Sequence, residues 1–181
     1  MKEITIKKYT FEELSKDVQE HLIDEYREAM EYNSDLEDHL KGRLHELTGL
    51  SFDLAYSLNY MQGDGLRFTG RIEGDEIKKL PFAHLVKDAE NTIINITPSS
   101  RWCNSYKVDI DIDANICYAS QDYYDDEWEK LQDAIEEWYN GVRDTLEEEG
   151  YKYIEEMESD EYIRECLIAL EQLYMEDGRR I

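Results

Sequence analysis

The sequence predicts an α+β fold: an antiparallel sheet of about five strands, helices on one of its faces, and acidic helices at the carboxy-terminal end. Three observations carry this expectation. Residues 52–72 alternate apolar and polar side chains on either side of a glycine-bearing turn, the pattern of a half-buried hairpin. Two further β-rich stretches, 91–97 and 105–113, flank a short polar loop in the same way. Beyond residue 121 the apolar positions switch to a helical period. Strands joined by hairpins make antiparallel sheets, and a sheet with one apolar face needs helices to cover it.

Taken in order, residues 3–9 alternate and are β-branched, which predicts a short first strand. Thr10 followed by Glu13 is a capping-box pattern, so a helix is expected from there, with Leu14, Val18, Leu22 and Tyr26 on one face. Ser34 and Glu37 repeat the pattern for a second helix, with a stripe of Leu36, Leu40, Leu44 and Leu47 and a stop at Gly49. In the hairpin, Phe52, Leu54, Tyr56, Leu58 and Tyr60 alternate with Asp53, Ala55, Ser57 and Asn59; Gln62-Gly63-Asp64-Gly65 turns the chain; Leu66, Phe68 and Ile72 return. A short helix is expected over 76–87, limited by Pro81. The second hairpin carries Pro98-Ser99-Ser100 in its loop. Trp128, Leu131, Ile135, Trp138 and Val142 mark a helix from about 122 to 149 that Gly150 should interrupt. Apolar residues from Tyr153 to Tyr174 predict one more long helix or two short ones, with Ser159 as a cap for the second. The charge distribution divides this layout into a core region, 1–120, and an acidic helical region, 121–181.

Charge is the strongest functional signal. The chain has 44 acidic residues against 20 Lys and Arg, a formal net charge of −24 on 181 residues. Between Asp122 and Asp177 stand 21 Asp and Glu and only four basic residues, Lys130, Arg143, Lys152 and Arg164, interleaved with Trp, Leu, Ile and Tyr. A folded segment this negative works against its own compactness. It therefore reads as an interaction surface for a cationic partner. The same charge argues against direct binding to free DNA, RNA or an anionic membrane. No run of about 18 apolar residues offers a membrane span, and the first residues lack the pattern of a secretory signal. Cys103, Cys117 and Cys166 are odd in number and lack C-x-x-C spacing, which suits reduced thiols in a cytosolic protein and gives no zinc signature.

Within the acidic helices the expected partner-binding residues are Asp122, Asp125, Asp126, Glu127, Glu129, Asp133, Glu136 and Glu137. Catalytic candidates are less defined. Asp109, Asp111 and Asp113 share one face of a strand opposite Val108, Ile110 and Ile112. Same-face neighbours stand roughly 6.6 Å apart, so two of these carboxylates suit Mg²⁺ with waters and a phosphate. The plainer reading is a solvated strand face paired with Arg67 and Arg71. Asp64, in the turn, is either a general acid/base partner for a histidine such as His39 or simply an acceptor for local backbone hydrogen bonds. His21, His39, His45 and His84 are scattered, and His39 and His45 fall on different helical faces. The turn is no phosphate loop: it lacks G-x-G-x-x-G and joins two strands.

The segments Tyr9-Thr10-Phe11-Glu12-Glu13-Leu14-Ser15, Gln19-Glu20, and Tyr56-Ser57-Leu58-Asn59-Tyr60-Met61-Gln62-Gly63-Asp64-Gly65-Leu66-Arg67-Phe68-Thr69-Gly70 resemble a family of small phage and prophage proteins of Gram-positive bacteria. That family pairs a Y-x-F-x-E-L-S segment with a Y-S-x-x-Y-x-Q-G-D-G hairpin. Its members are loosely described as antirestriction-like, and the chain is similar to anti-CRISPR proteins directed at type II RNA-guided nucleases. The likeness covers about residues 4–72, at most extends through the strands to residue 113, and leaves the acidic region outside. It implies a counter-defence role in the cytoplasm of an infected bacterial host; the expected partner is the effector nuclease or its guide-RNA complex, and no cofactor is expected apart from Mg²⁺ under a nuclease mechanism. Three mechanisms stay open: an inhibitor that mimics nucleic acid; an effector-dependent nuclease that cleaves the guide RNA with Mg²⁺, using Asp64, Asp109, Asp111 or His39; and an acidic decoy for a DNA-binding restriction enzyme.

Overall fold

Alternation along the hairpin builds the sheet. In the computed structural model, described for residues 7–30, 33–99, 106–114 and 124–181, strand β1 (Asp53–Ser57) pairs antiparallel with β2 (Gly65–Glu73). β2 then pairs with β3 (Thr92–Pro98), and β3 with β4 (Val108–Ala114), in the spatial order β1-β2-β3-β4. The fold is α+β, with four strands among the described residues. Of the expected first strand, residues 3–6 lie outside the described residues. Tyr9 makes an isolated antiparallel bridge to Tyr174.

Register puts the apolar residues on one face. Leu54 faces Phe68, Tyr56 faces Leu66, Ile72 faces Ile94, and Ile96 faces Ile110. Leu66, Phe68, Ile72, Ile94 and Ile96 are buried. The other face carries Arg71, Asn95 and Asp111 in one cross-strand row and Thr97 opposite Asp109 in another. One face packed and one solvated is the usual state of an antiparallel sheet.

The described chain divides into two compact units, residues 34–151 and residues 1–33 with 152–181. In the first, helix α2 (Asn33–Thr48) buries Leu36, Leu40 and Leu44, while Leu47 is 39% exposed, so the expected four-leucine stripe is a three-leucine one. Gly49 ends the helix with φ +68, a conformation glycine adopts without steric cost. Helix α3 (Tyr124–Met157) packs Trp138 and Tyr139 against the sheet, with ring centroids 5.9 Å and 4.3 Å from that of Phe68. The Tyr139 hydroxyl donates to the Phe68 carbonyl at 3.2 Å and accepts from the Phe68 N–H at 3.3 Å, both in the interior.

Three expectations are corrected here. Gly150 does not interrupt the helix: α3 runs through it for 34 residues. A Cβ at Gly150 would stand 2.5 Å from Leu58 Cδ1 and 3.4 Å from Leu40 Cδ2, so the glycine serves close packing. The helix expected over 76–87 is instead a series of short 3₁₀ turns, Gly74–Lys79, Ala83–Leu85 and Ala89–Asn91. Pro81 lacks the N–H that a continuous helix needs there. In the second hairpin Pro98 is the last residue of β3, paired with Val108, and so belongs to the strand.

In the second unit the Thr10 capping box forms, with the Thr10 N–H donating to Glu13 at 2.9 Å. It opens only a 3₁₀ turn, Phe11–Glu13. Helix α1 (Lys16–Ala29) starts after Ser15. Helix α4 (Asp160–Ala169) follows the expected Ser159 cap, which accepts from the Tyr162 N–H at 3.3 Å, and stops well before Tyr174. Phe11, Leu14, Leu22, Ile23, Ile163, Leu167 and Tyr174 form the core of this unit. Arg27 ties its elements by donating to the Glu158 carbonyl at 3.0 Å and pairing with Asp24 and Asp160.

Candidate acidic interface on helix α3

An α-helix turns 100° per residue, so positions three and four apart share a face. Leu131, Ile135, Tyr139, Val142 and Leu146 are buried and define the inward side of α3. Asp126, Glu129, Asp133, Glu136, Glu137, Asp144 and Glu148 are exposed, and Glu147 is half-buried. All eight fall within about 80° of one line along the opposite side. The 22-residue step from Asp126 to Glu148 is about 33 Å of helix at 1.5 Å per residue. Eight carboxylates over that length stand about 5 Å apart on average, with a gap of about 10 Å between Glu137 and Asp144; the charge density is of the same order as one DNA strand, whose phosphates stand about 3.4 Å apart along the axis. One basic side chain, Lys130, lies near the line; Arg143 lies about 100° from it and pairs with Asp144 at 2.6 Å.

Five of the residues expected to bind a partner share this stripe: Asp126, Glu129, Asp133, Glu136 and Glu137. Glu127 points off it and forms an ion pair with Lys87. Asp125 belongs to the first turn of α3, and Asp122 lies outside the described residues. Asp144, Glu147 and Glu148 extend the stripe beyond the residues named from sequence. The helical period, carried three turns further, finds them. Glu149, next to them, turns inward and holds Arg43 through two hydrogen bonds of 2.7 and 2.9 Å.

At its carboxy-terminal end the stripe meets the hairpin loop. Tyr151 is four residues beyond Glu147 and so continues the same line. Its hydroxyl donates to Asp64 Oδ2 at 3.3 Å, and its ring lies 4.8 Å from that of Tyr60. Asp64 also accepts from the Asn59 N–H at 2.6 Å, the Met61 N–H at 2.8 Å and the Ser57 hydroxyl at 2.9 Å. Backbone hydrogen bonding, led by Met61 and joined by the Ser57 and Tyr151 hydroxyls, holds its carboxyl below the usual carboxylate range. Burial, then the charge of Asp64, pushes the Tyr151 phenol up. The pair therefore keeps an ionised acceptor and a protonated donor. The loop places Tyr60 at φ +56 and Gly63 at φ +103, and leaves Tyr60 59% and Met61 72% exposed.

The residues considered for chemistry stand apart. The four donors to Asp64 include no histidine; His39 lies on α2, half-buried. Asp109 and Asp111 project from the exposed face of β4, at the sheet edge opposite β1, so two strand spacings, about 10 Å, separate β4 from β2 and its turn. Arg71, expected to neutralise these aspartates, pairs with Glu73 on its own strand. Arg67 lies over the Tyr106 ring at 6.0 Å. Among the described residues no three His, Cys, Asp or Glu side chains converge as metal ligands, and no helix is long and apolar enough to cross a membrane. No protein-family pattern, curated protein or solved structure matches the chain.

Proposed function

We propose that this chain is a counter-defence protein of the anti-CRISPR type, a binding module that presents the α3 stripe to the cationic groove of a type II RNA-guided nuclease in an infected bacterium. The observation that carries the reading is the run of eight carboxylates along one helix face. A groove that follows phosphates is lined with Lys and Arg, and RNA-guided effectors hold the guide–target duplex in such a channel. The partner class rests on the likeness in residues 4–72; the stripe supplies the mechanism. Opposite charges across the encounter speed association and make it salt-sensitive.

The test is target-DNA cleavage by a guide-loaded type II effector, with the guide RNA followed on a denaturing gel. Lost cleavage with full-length guide supports the reading. Shortened guide would replace it with the nuclease mechanism, for which Asp64, Asp109, Asp111 and His39 are the residues to vary, with and without Mg²⁺. Unimpaired cleavage would overturn the partner assignment. Retention of the chain by a restriction enzyme instead would leave the stripe a decoy for a different DNA-binding protein.

A further inference from the structure

We infer that the loop tip, Tyr60 and Met61, is a preorganised anchor that inserts into an apolar pocket on the rim of the same cationic groove; the inference rests on the reading above and deepens it. Met61, at 72% exposure, is the most exposed large apolar side chain among the described residues, and Tyr60, at 59%, is next to it. Exposed aromatic and methionine side chains are what protein interfaces select for their buried centres. The backbone of the tip is also tied down. Asp64 binds the backbone on both sides of Tyr60, through the Asn59 and Met61 N–H groups. Tyr60 keeps a left-handed φ of +56 that a non-glycine residue adopts at a cost. Gly65, the first residue of β2, pairs with Ser57 and has no room for a Cβ, which would meet the Tyr106 ring at 2.8 Å. A tied backbone loses little conformational freedom on binding, leaving the side-chain rotamers as what binding must order.

Charge selects the occupant. The tip stacks on Tyr151 at the end of the acidic stripe, with the Asp64 carboxylate beneath it and Glu147 one turn away. A nucleic-acid base would bring its phosphates against those carboxylates. A second copy would bring a further net charge of −24. A protein pocket bordered by Lys or Arg satisfies both the apolar tip and its anionic surround.

The test is binding kinetics on a surface-immobilised, guide-loaded type II effector at several salt concentrations. Met61→Ala is the cleaner variant, because so exposed a side chain contributes little to folding; a thermal melt confirms this. The expected result is an off-rate about tenfold faster for Met61→Ala and for Tyr60→Ala, an on-rate within about twofold of the parent, an unchanged salt slope, and near-parental kinetics for Met61→Leu. An unchanged off-rate, with stripe variants still weakening binding, would overturn the anchor and leave the stripe reading standing. Salt-independent or absent binding by the parent would overturn the stripe reading and the anchor with it. Self-association that Met61→Ala abolishes would reassign the tip to a contact between copies and overturn the inference.

Discussion

Gly150→Ala and Gly141→Ala are chemically the same change on the same helix, and the structure predicts opposite signs. At Gly141 an added Cβ meets nothing within 4 Å, so the change gains only helix propensity and lost unfolded-state freedom, about 1 kcal/mol of stabilisation. At Gly150 the same gain is opposed by a Cβ placed 2.5 Å from Leu58 Cδ1. Ordinary contact begins near 3.5 Å, so Leu58 must retreat by about 1 Å. Leu58 is 5% exposed and the neighbouring Leu40 fully buried, and a close-packed interior resists such a shift at about 2–3 kcal/mol. The net effect is about 1–2 kcal/mol of destabilisation. For a chain of this size each kcal/mol moves the melting temperature by about 2–4 °C. Thermal melts followed by circular dichroism should therefore rise by about 3 °C for Gly141→Ala and fall by about 3–6 °C for Gly150→Ala. Parallel rises in both variants would refute the argument that Gly150 is there for close packing. Leu58 leads directly into the loop that carries Tyr60 and Met61, so the same displacement should raise amide exchange at Asn59 and Met61.

Two further outcomes follow from hydrogen bonding. Tyr139→Phe removes the hydroxyl that serves both the N–H and the carbonyl of buried Phe68; the expected loss is about 1–3 kcal/mol by urea denaturation, and an unchanged midpoint would contradict it. Asp64 has its folded-state pKa depressed, so its contribution to loop order is present above its unfolded pKa of about 4 and is lost as pH falls through the lower folded value. The NMR signals of the Met61 methyl and the Asn59 amide should hold steady from neutral pH down to about 4 and move only below it; Asp64→Asn should abolish that transition, and a midpoint near neutrality would contradict the assignment.

Local chemistry made much of this architecture legible. The alternation on either side of the turn specified a hairpin because register puts every second residue on one face; its loop is longer than expected, since β1 ends at Ser57 and Leu58, Asn59 and Tyr60 belong to the loop, while Gly65 pairs with Ser57 as the first residue of β2. Ser159 and Gly49 marked helix ends because their side-chain oxygen and positive φ act within a few residues. The acidic face of α3 was legible in part: the charge clusters picked out Asp126, Glu129, Asp133, Glu136 and Glu137, but also Glu127, which pairs with Lys87 off the stripe, and stopped short of Asp144, Glu147 and Glu148. What escaped the sequence was set by distant neighbours. Gly150 carries a local helix penalty, and only the approach of Leu58 and Leu40 shows why the helix continues through it. Thr10 does form its capping box, yet Leu14 and Ser15 leave the helical conformation, so the helix begins at Lys16. Tyr151 was the least visible part of the site. Its place on the stripe can be counted from Glu147, but its bond to Asp64, 87 residues away in sequence, cannot.

The central claim is that the α3 carboxylates stand in for phosphates. The most direct measurement is the affinity for a guide-loaded type II effector from about 50 mM to about 500 mM salt, where the screening length shrinks from about 14 Å to about 4 Å. Parent protein is compared with a variant carrying Glu129→Gln, Asp133→Asn, Glu136→Gln and Glu137→Gln. The account predicts that parent binding weakens by about tenfold or more across that range, mostly through the on-rate. The variant should bind about tenfold more weakly at the low end and show a flatter salt slope, with a melting temperature at or above the parent's, because four like charges have been removed from one helix face. A parent affinity that ignores salt, or a variant that tracks the parent at every concentration, would contradict it.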